Sequence, residues 1–210
     1  MSHSTPRPPL SPIKDFKIQD GVPSENMDSA YLLFWKTFAR KLKIPLGSQE
    51  KAMDFLRRSI SSRSIVSATS RSGQLLGVAT YKGYNPNALN EELKHLFATY
   101  GKIGGILRGI LLSQLDHQPK AGQMMVESIC VDESARSQGV GRSLLGYIKE
   151  QALRQGVEMV ILDVIKKNER AHRLYARLGY RDLKRHSVGI LAPIFGFKDS
   201  IRMGLRLQPQ

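Results

Sequence analysis

The amino-acid sequence predicts an α/β protein in which a mixed sheet carries helices on both faces. Two observations lead to it. Between Val126 and Tyr180, apolar runs of the buried-strand kind alternate with stretches whose apolar residues recur at helical spacing. Ahead of them, Ile65–Thr69 and Leu75–Tyr81 flank Ser70-Arg71-Ser72-Gly73-Gln74, the pattern of an antiparallel hairpin. Hairpin pairing and crossover pairing therefore meet in one sheet, which the intervening helices must cover.

Taken in order, residues 1–12 are rich in proline and serine and read as a disordered tail before a single domain, 13–210. A short first strand is expected over Ile13–Ile18, with Asp20-Gly21 and Pro23 turning the chain. From Ser24 to about Leu42, Tyr31, Phe34, Trp35, Phe38 and Leu42 share a helical face, which Pro45 and Gly47 end. Ser48 is placed to cap a second helix with Ala52, Met53, Phe55, Leu56 and Ile60 inward. After the hairpin, Asn87–His117 carries a helical apolar stripe broken by Gly101, Gly104 and Gly105, read as two helices hinged at those glycines. Its length and mixed faces favour a helical pair covering the sheet over a membrane-surface anchor. Strands follow near Val126–Val131, Met159–Ile165, from Tyr180, and over Ser200–Leu207; helices run from Val140 to about Arg154 and from Asn168 to Gly179.

The 210 residues suffice for one buried core. With 32 Lys and Arg against 18 Asp and Glu, the net charge is +14, which favours polyanionic partners such as a phosphorylated cofactor, nucleic acid or an acidic membrane surface. The single cysteine, Cys130, excludes an internal disulfide framework and fits a reducing compartment. An apolar signal region and a membrane-spanning run are both missing from the sequence, so a cytoplasmic protein is expected. The five histidines share no metal-ligand spacing, and no metal is expected.

The chemistry centres on Val126–Leu145, which reads as a strand, the turn Arg136-Ser137-Gln138-Gly139-Val140-Gly141, and a helix with Leu144, Leu145 and Ile148 inward. Two glycines at the mouth of a helix bring unpaired backbone N–H groups close to an anion, and the helix dipole favours negative charge there. In physical terms this is a phosphate cradle. A second block follows the next strand: Asn168, Ala171, Leu174-Tyr175 and Leu178-Gly179-Tyr180. A strand with R-x-x-G-x-G and a helix, then a strand with N-x-x-A-x-x-L-Y-x-x-L-G-Y, resembles the GNAT superfamily of acyl-coenzyme A-dependent N-acetyltransferases. The two blocks cover about a quarter of the chain, and the order of elements before them is also similar.

That resemblance implies an α+β-type fold with a mixed, mostly antiparallel central sheet of six to seven strands, and acetyl-coenzyme A (acetyl-CoA) as co-substrate without a metal. It further implies transfer of acetyl to a primary amine by direct attack in a ternary complex. The amides of Ser137, Gln138, Gly139, Val140 and Gly141, continuing to Arg142 and Ser143, would wrap the pyrophosphate, with Arg136 and Arg142 adding charge. The strand before the cradle would splay from its neighbour, so that the backbone of Ile129, Cys130 and Val131 pairs with the pantetheine arm. The Val131 amide would serve as oxyanion donor and Tyr175 as the acid that protonates the thiolate. Asn168 would bond the pantetheine or its bridging water, while also suiting an N-cap.

Glu127 is the candidate base. Strict alternation places it on the side of Ile129 and Val131, and a carboxylate in an apolar strand is costly unless paired or used. The alternatives are a structural partner for a nearby arginine, or deprotonation through water. Cys130 lacks activating neighbours and reads as an inert buried thiol rather than an acetyl carrier. His172 reads as a surface residue.

Three rivals are weaker. A dinucleotide fold needs a tighter turn and a third glycine where Leu144 stands. A non-catalytic acyl-CoA sensor would not require Tyr175 and Glu127. Nucleic-acid binding is suggested by Lys36–Arg63 and Lys166–Arg185, each with eight basic and two acidic residues, but no reading motif accompanies them. The acceptor, a small molecule or a peptide amine, is set by Met27–Ile60, Asn87–His117 and Val188–Ser200; the glycine-hinged segment is a candidate lid, and a homodimer is compatible with the sequence. The basic chain favours a neutral or acid-bearing amine.

Overall fold

The computed structural model describes residues 15–60, 64–85, 88–113 and 118–207. The expected tail and Ile13 lie outside the described residues, as do 87 and 114–117 at the margins of the expected helical pair. Seven strands form one sheet, in the order β1 (Phe16–Asp20), β2 (Ser64–Ser70), β3 (Leu75–Gly83), β4 (Gln123–Val131), β5 (Met159–Ile165), β7 (Asp199–Arg206) and β6 (Arg181–Ser187). The β4–β5 pairing is parallel and the other five are antiparallel. A parallel pair needs a crossover, and α4 (Val140–Arg154) supplies it. The mixed, mostly antiparallel sheet with helices on both faces is thus the observed architecture.

One face is covered by α4 and α5 (Glu169–Arg177). There Val140, Leu144, Leu145 and Ile148 interlock with Ala79, Tyr81, Val126 and Val160. The other face takes α1 (Met27–Leu46), whose Ala30 and Leu33 meet Val78 and Cys130. Two further helices stack outside α1: α2 (Gln49–Ile60), and α3 (Ala88–Ser113), which kinks at Gly101. Pro45 lies inside the last turn of α1 rather than beyond it, and Gly47 at φ 76° ends the helix, its N–H bonding the Lys43 carbonyl. Ser48 Oγ accepts from the Lys51 N–H at 3.4 Å, the expected cap of α2.

Two details position the site. The β4–β5 ladder runs only from Gln123↔Met159 to Val126↔Leu162. Beyond that point β3 holds β4 as far as Gly77↔Val131, while β7 holds β5 as far as Ile165↔Ser200. Each strand is anchored on its outer side, so the sheet opens along its middle. The second detail is a β-bulge: Thr80 pairs with Ser128 but Tyr81 with Val126, leaving Glu127 as the extra residue.

The close seat of α4 on β3 depends on Gly77, where an added Cβ would lie 2.9 Å from the Cys130 carbonyl oxygen and 3.0 Å from Val140 Cγ1. Gly77→Val is expected to destabilise the fold by about 2–3 kcal/mol through overpacking. Urea unfolding would measure it, and an unchanged midpoint would show that α4 is not held at this distance.

Candidate active site at the split in the sheet

The split opens a cleft of about 430 Å³, with Val126, Glu127, Ser128 and Ile129 on one wall and Leu162, Asp163, Val164 and Ile165 on the other. Thr37 and Phe38 of α1 and Phe195–Phe197 close it on one side of the sheet; Lys167, Asn168 and Tyr175 close it on the other. Phe195 ends α6 (Ala192–Phe195), a short helix that packs on α1 and has no periodic signal in the sequence. Along β4 the Asp132 N–H donates to the Leu76 carbonyl at 2.9 Å. Alternation along an extended strand then turns the Val131 N–H the opposite way, toward the open edge.

The turn between β4 and α4 is built by local bonds. Asp132 Oδ1 accepts from the amide and the hydroxyl of Ser134, at 2.9 and 2.5 Å, and the hydroxyl bond is the main reason its carboxyl is held below the usual range. Gln138 Nε2 donates to the Ser134 carbonyl at 2.6 Å. Ser137 takes φ 66° and Gly139 φ 87°. A non-glycine residue in the left-handed region costs about 1–2 kcal/mol.

The first bond of α4 runs from the Ser143 N–H to the Gly139 carbonyl at 3.0 Å. Gly139, Val140, Gly141 and Arg142 therefore present the N–H groups that the helix itself does not use, whereas the Ser143 amide closes the helix and leaves only its hydroxyl for an anion. Arg136 pairs with Glu133 of the preceding turn at 3.2 Å and is half exposed. Arg170, which the sequence reading did not single out, reaches across from α5 to donate to Ser137 Oγ at 2.8 Å. Its place two residues after Asn168, on the exposed side of α5, was the available signal.

Glu127 departs from its expected orientation. The bulge breaks the alternation, and its Oε1 lies 3.0 Å from Lys82 Nζ. Lys82 follows Tyr81, whose ring is in the α4-side core, so the carboxylate faces the α1 side, opposite Ile129 and Val131. Its partner is a lysine of β3 rather than an arginine. Across the gap, Asp163 receives both Arg202 Nε and Nη2 at 2.9 Å, a bidentate pair with β7 that sequence reasoning also missed. Asn168 caps α5, accepting from the Ala171 N–H at 3.2 Å, and at the same time lines the cleft.

Tyr175 stands in the cleft wall with its ring 6.1 Å from that of Tyr180. Burial pushes its phenol up to about 12, and the nearby Cys130 thiol adds to the rise. Cys130 is itself fully buried and pushed up to about 12 by burial, so the thiol is inert there. His172 bonds Asp182 at 2.8 Å near the surface, away from the cleft lining. Among the described residues no group of three or more His, Cys, Asp or Glu is arranged to hold a metal ion.

Comparison with known proteins gives the chain's family and its fold. The model of the acetyltransferase (GNAT) family matches residues 29–180. The aminoalkylphosphonate N-acetyltransferase of Salmonella typhimurium is 28% identical over 100 residues, 47% of this chain and 64% of that protein. The chain spans less than two thirds of the length of the curated relatives it matches. A GCN5-related N-acetyltransferase from Kribbella flavida shares the fold with a TM-score of 0.59 at 20% identity, over 94% of this chain and all of that one. A Bacillus subtilis acetyltransferase solved in complex with CoA superposes with a TM-score of 0.56 at 16% identity, over 92% of this chain and 100% of its own.

The Asp163–Arg202 pair is mostly buried, so removing one partner strands the other. Asp163→Ala is expected to cost about 3 kcal/mol, and adding Arg202→Met should restore much of it. A double-mutant cycle by denaturant titration checks this; additive losses would show that the two groups are not coupled.

Proposed function

Because the chain belongs to the acetyltransferase (GNAT) family, we propose that its split sheet moves an acetyl group from acetyl-CoA to a primary amine by direct attack in a ternary complex. The observation that carries this is the unpaired β4 edge after Val126, with the N–H-rich mouth of α4 beyond its end and Tyr175 beside it. Bound acetyl-CoA supplies an activated acetyl thioester. The backbone of Ile129, Cys130 and Val131 offers the pantetheine arm the strand partner that β5 does not provide. The turn from Ser137 to Gly141, with Arg142, the Ser143 hydroxyl, Arg136 and Arg170, holds the pyrophosphate. Asn168 bonds the arm from the end of β5.

The Val131 N–H receives the charge that develops on the acetyl oxygen, a contribution worth about 10²–10³ in rate for a fixed donor. Tyr175 gives its proton to the departing sulfur. A phenol held near 12 stays protonated throughout the neutral range, so the acid is present until the thiolate forms. Glu127 takes a proton from the acceptor ammonium before attack, and the neutral amine so formed is the nucleophile. Asp163 is the poorer candidate because Arg202 engages both of its oxygens.

The acceptor side revises the expectation drawn from net charge. The cleft floor carries two carboxylates, Glu127 and Asp163, beneath Phe38, Phe195 and Phe197, and Lys167 is its one lining base among the described residues. Lys82 and Arg202, the bases nearest those carboxylates, are tied to them at 3.0 and 2.9 Å. This local pattern suits an ammonium on a small apolar or aromatic body and leaves an anionic substituent only Lys167 as a cationic lining partner among the described residues.

Two outcomes follow. Tyr175→Phe should lower kcat about a hundredfold or more with little change in KM for acetyl-CoA, and the wild-type rate should show no alkaline loss attributable to this phenol below about pH 11, because the active protonated form disappears only as pH rises through about 12. An unchanged kcat in the variant removes Tyr175 from the mechanism. In an amine panel read by thioester consumption, aromatic and aliphatic monoamines should exceed aminoalkylphosphonates in kcat/KM by at least about tenfold. The reverse order overturns the acceptor assignment alone, and CoA binding without turnover of any amine would favour an acyl-CoA sensor.

A further inference from the structure

Among the described residues the α3 pair gives none to the cleft lining, and it packs on α1 and α2. The chain turns at Gly101 (φ 71°, ψ 174°), not at Gly104 or Gly105, which lie against Tyr100 and Phe97 and let the second segment sit close to the first.

That second segment, 102–113, buries Gly105 and Leu112 inward. At about 100° per residue the opposite side carries Ile103, Ile106, Leu107 and Ile110, which are 87, 52, 59 and 60% exposed. Four large apolar side chains at i, i+3, i+4 and i+7 stand in water on the face where a surface helix carries polar groups. Within this segment the exposed face is apolar, although the Asn87–His117 stretch as a whole has mixed faces. Singly scattered exposed apolar residues need no explanation, but a continuous stripe does.

Charge selects the occupant. Within 102–113 the sequence holds Lys102 and Arg108 and neither Asp nor Glu, the pair's own acids, Glu91 and Glu92, lying with Lys94 in its first segment. Arg108 stacks over the Tyr100 ring at 4.2 Å, while Lys102 stands exposed beside the stripe. The end of α1, joined here by the Tyr100 hydroxyl donating to the Leu46 carbonyl at 2.7 Å, adds the exposed Lys43 and Ile44. Asp54 of α2, which contacts this pair through Thr99 at 3.0 Å, is also held by Arg58 at 3.1 Å. A second copy would bring the same cations and a net charge of +14 against themselves. Nucleic-acid phosphates gain nothing from isoleucine side chains. An anionic bilayer answers both features, taking the apolar stripe below its headgroups and the lysines at them.

We propose that the 102–113 segment seats this protein on an anionic phospholipid surface. It lies in the interface rather than spanning it, and no helix among the described residues is long and apolar enough to cross a membrane. The proposal is independent of the acetyl-transfer reading, since it uses none of the cleft residues.

The test is co-sedimentation of the full chain with phosphatidylcholine vesicles with and without phosphatidylglycerol. Binding is expected to the anionic vesicles, to weaken with salt, and to fall about tenfold or more in Ile106→Gln/Ile110→Gln, which leaves charge unaltered. Thermal unfolding and CoA binding of that variant should match the wild type, and in the wild type anionic vesicles should slow amide exchange over 102–113. Equal vesicle binding by variant and wild type, no binding to anionic vesicles, or a concentration-dependent dimer abolished by the variant would overturn the proposal.

Discussion

The rest of the site depends on the loss of pairing between β4 and β5 after Val126↔Leu162. Backbone N–H and C=O groups at a strand edge require partners, and an unpaired edge inside a sheet is a template for another extended chain. The split persists because each strand is held from outside, β4 by β3 and β5 by β7, and because the crossover through α4 fixes the parallel register only at the base. Side chains then converge on one opening: Glu127 and Ser128 from β4, Asp163 from β5, Thr37 and Phe38 from α1, and Tyr175 from α5.

Electrostatics divides the molecule by scale. The chain as a whole is strongly basic, yet its cleft floor presents two carboxylates, each kept by a base on a neighbouring strand. A long-range field steers polyanions toward the surface, while what fits inside is decided within a few ångströms. On the proposed function, a phosphorylated donor and an ammonium-bearing acceptor would use the same cleft without competing for the same charges. Burial has a different effect on Tyr175, whose phenol it keeps protonated, and on Cys130, which it renders inert.

Where local periodicity was strong, the sequence was readable almost to the residue: α4 from Val140, β5 over Met159–Ile165, and the hairpin closed by Ser70–Gln74. The placement of β7 between β5 and β6 was not, because strand order is a long-range property that no local pattern encodes. Glu127 was singled out but assigned to the wrong face, since a bulge adds one residue and reverses alternation. Asp163 escaped notice because its partner lies 39 positions away, at Arg202. Four-residue α6 carries no period, so Phe195 and Phe197 could not be placed over the cleft in advance. The positions of the cradle turn and of Tyr175 beside the cleft were legible as motif spacing, and the geometry adds that the Ser143 amide closes the helix.

The central claim is that the open β4 edge receives the donor as an added strand. Amide exchange at Ile129 and Val131, resolved by NMR with and without acetyl-CoA, tests it most directly. The account predicts strong slowing at both amides on binding, together with perturbation of Gly139 and Gly141. Binding that leaves Ile129 and Val131 unprotected would place the donor elsewhere and contradict it.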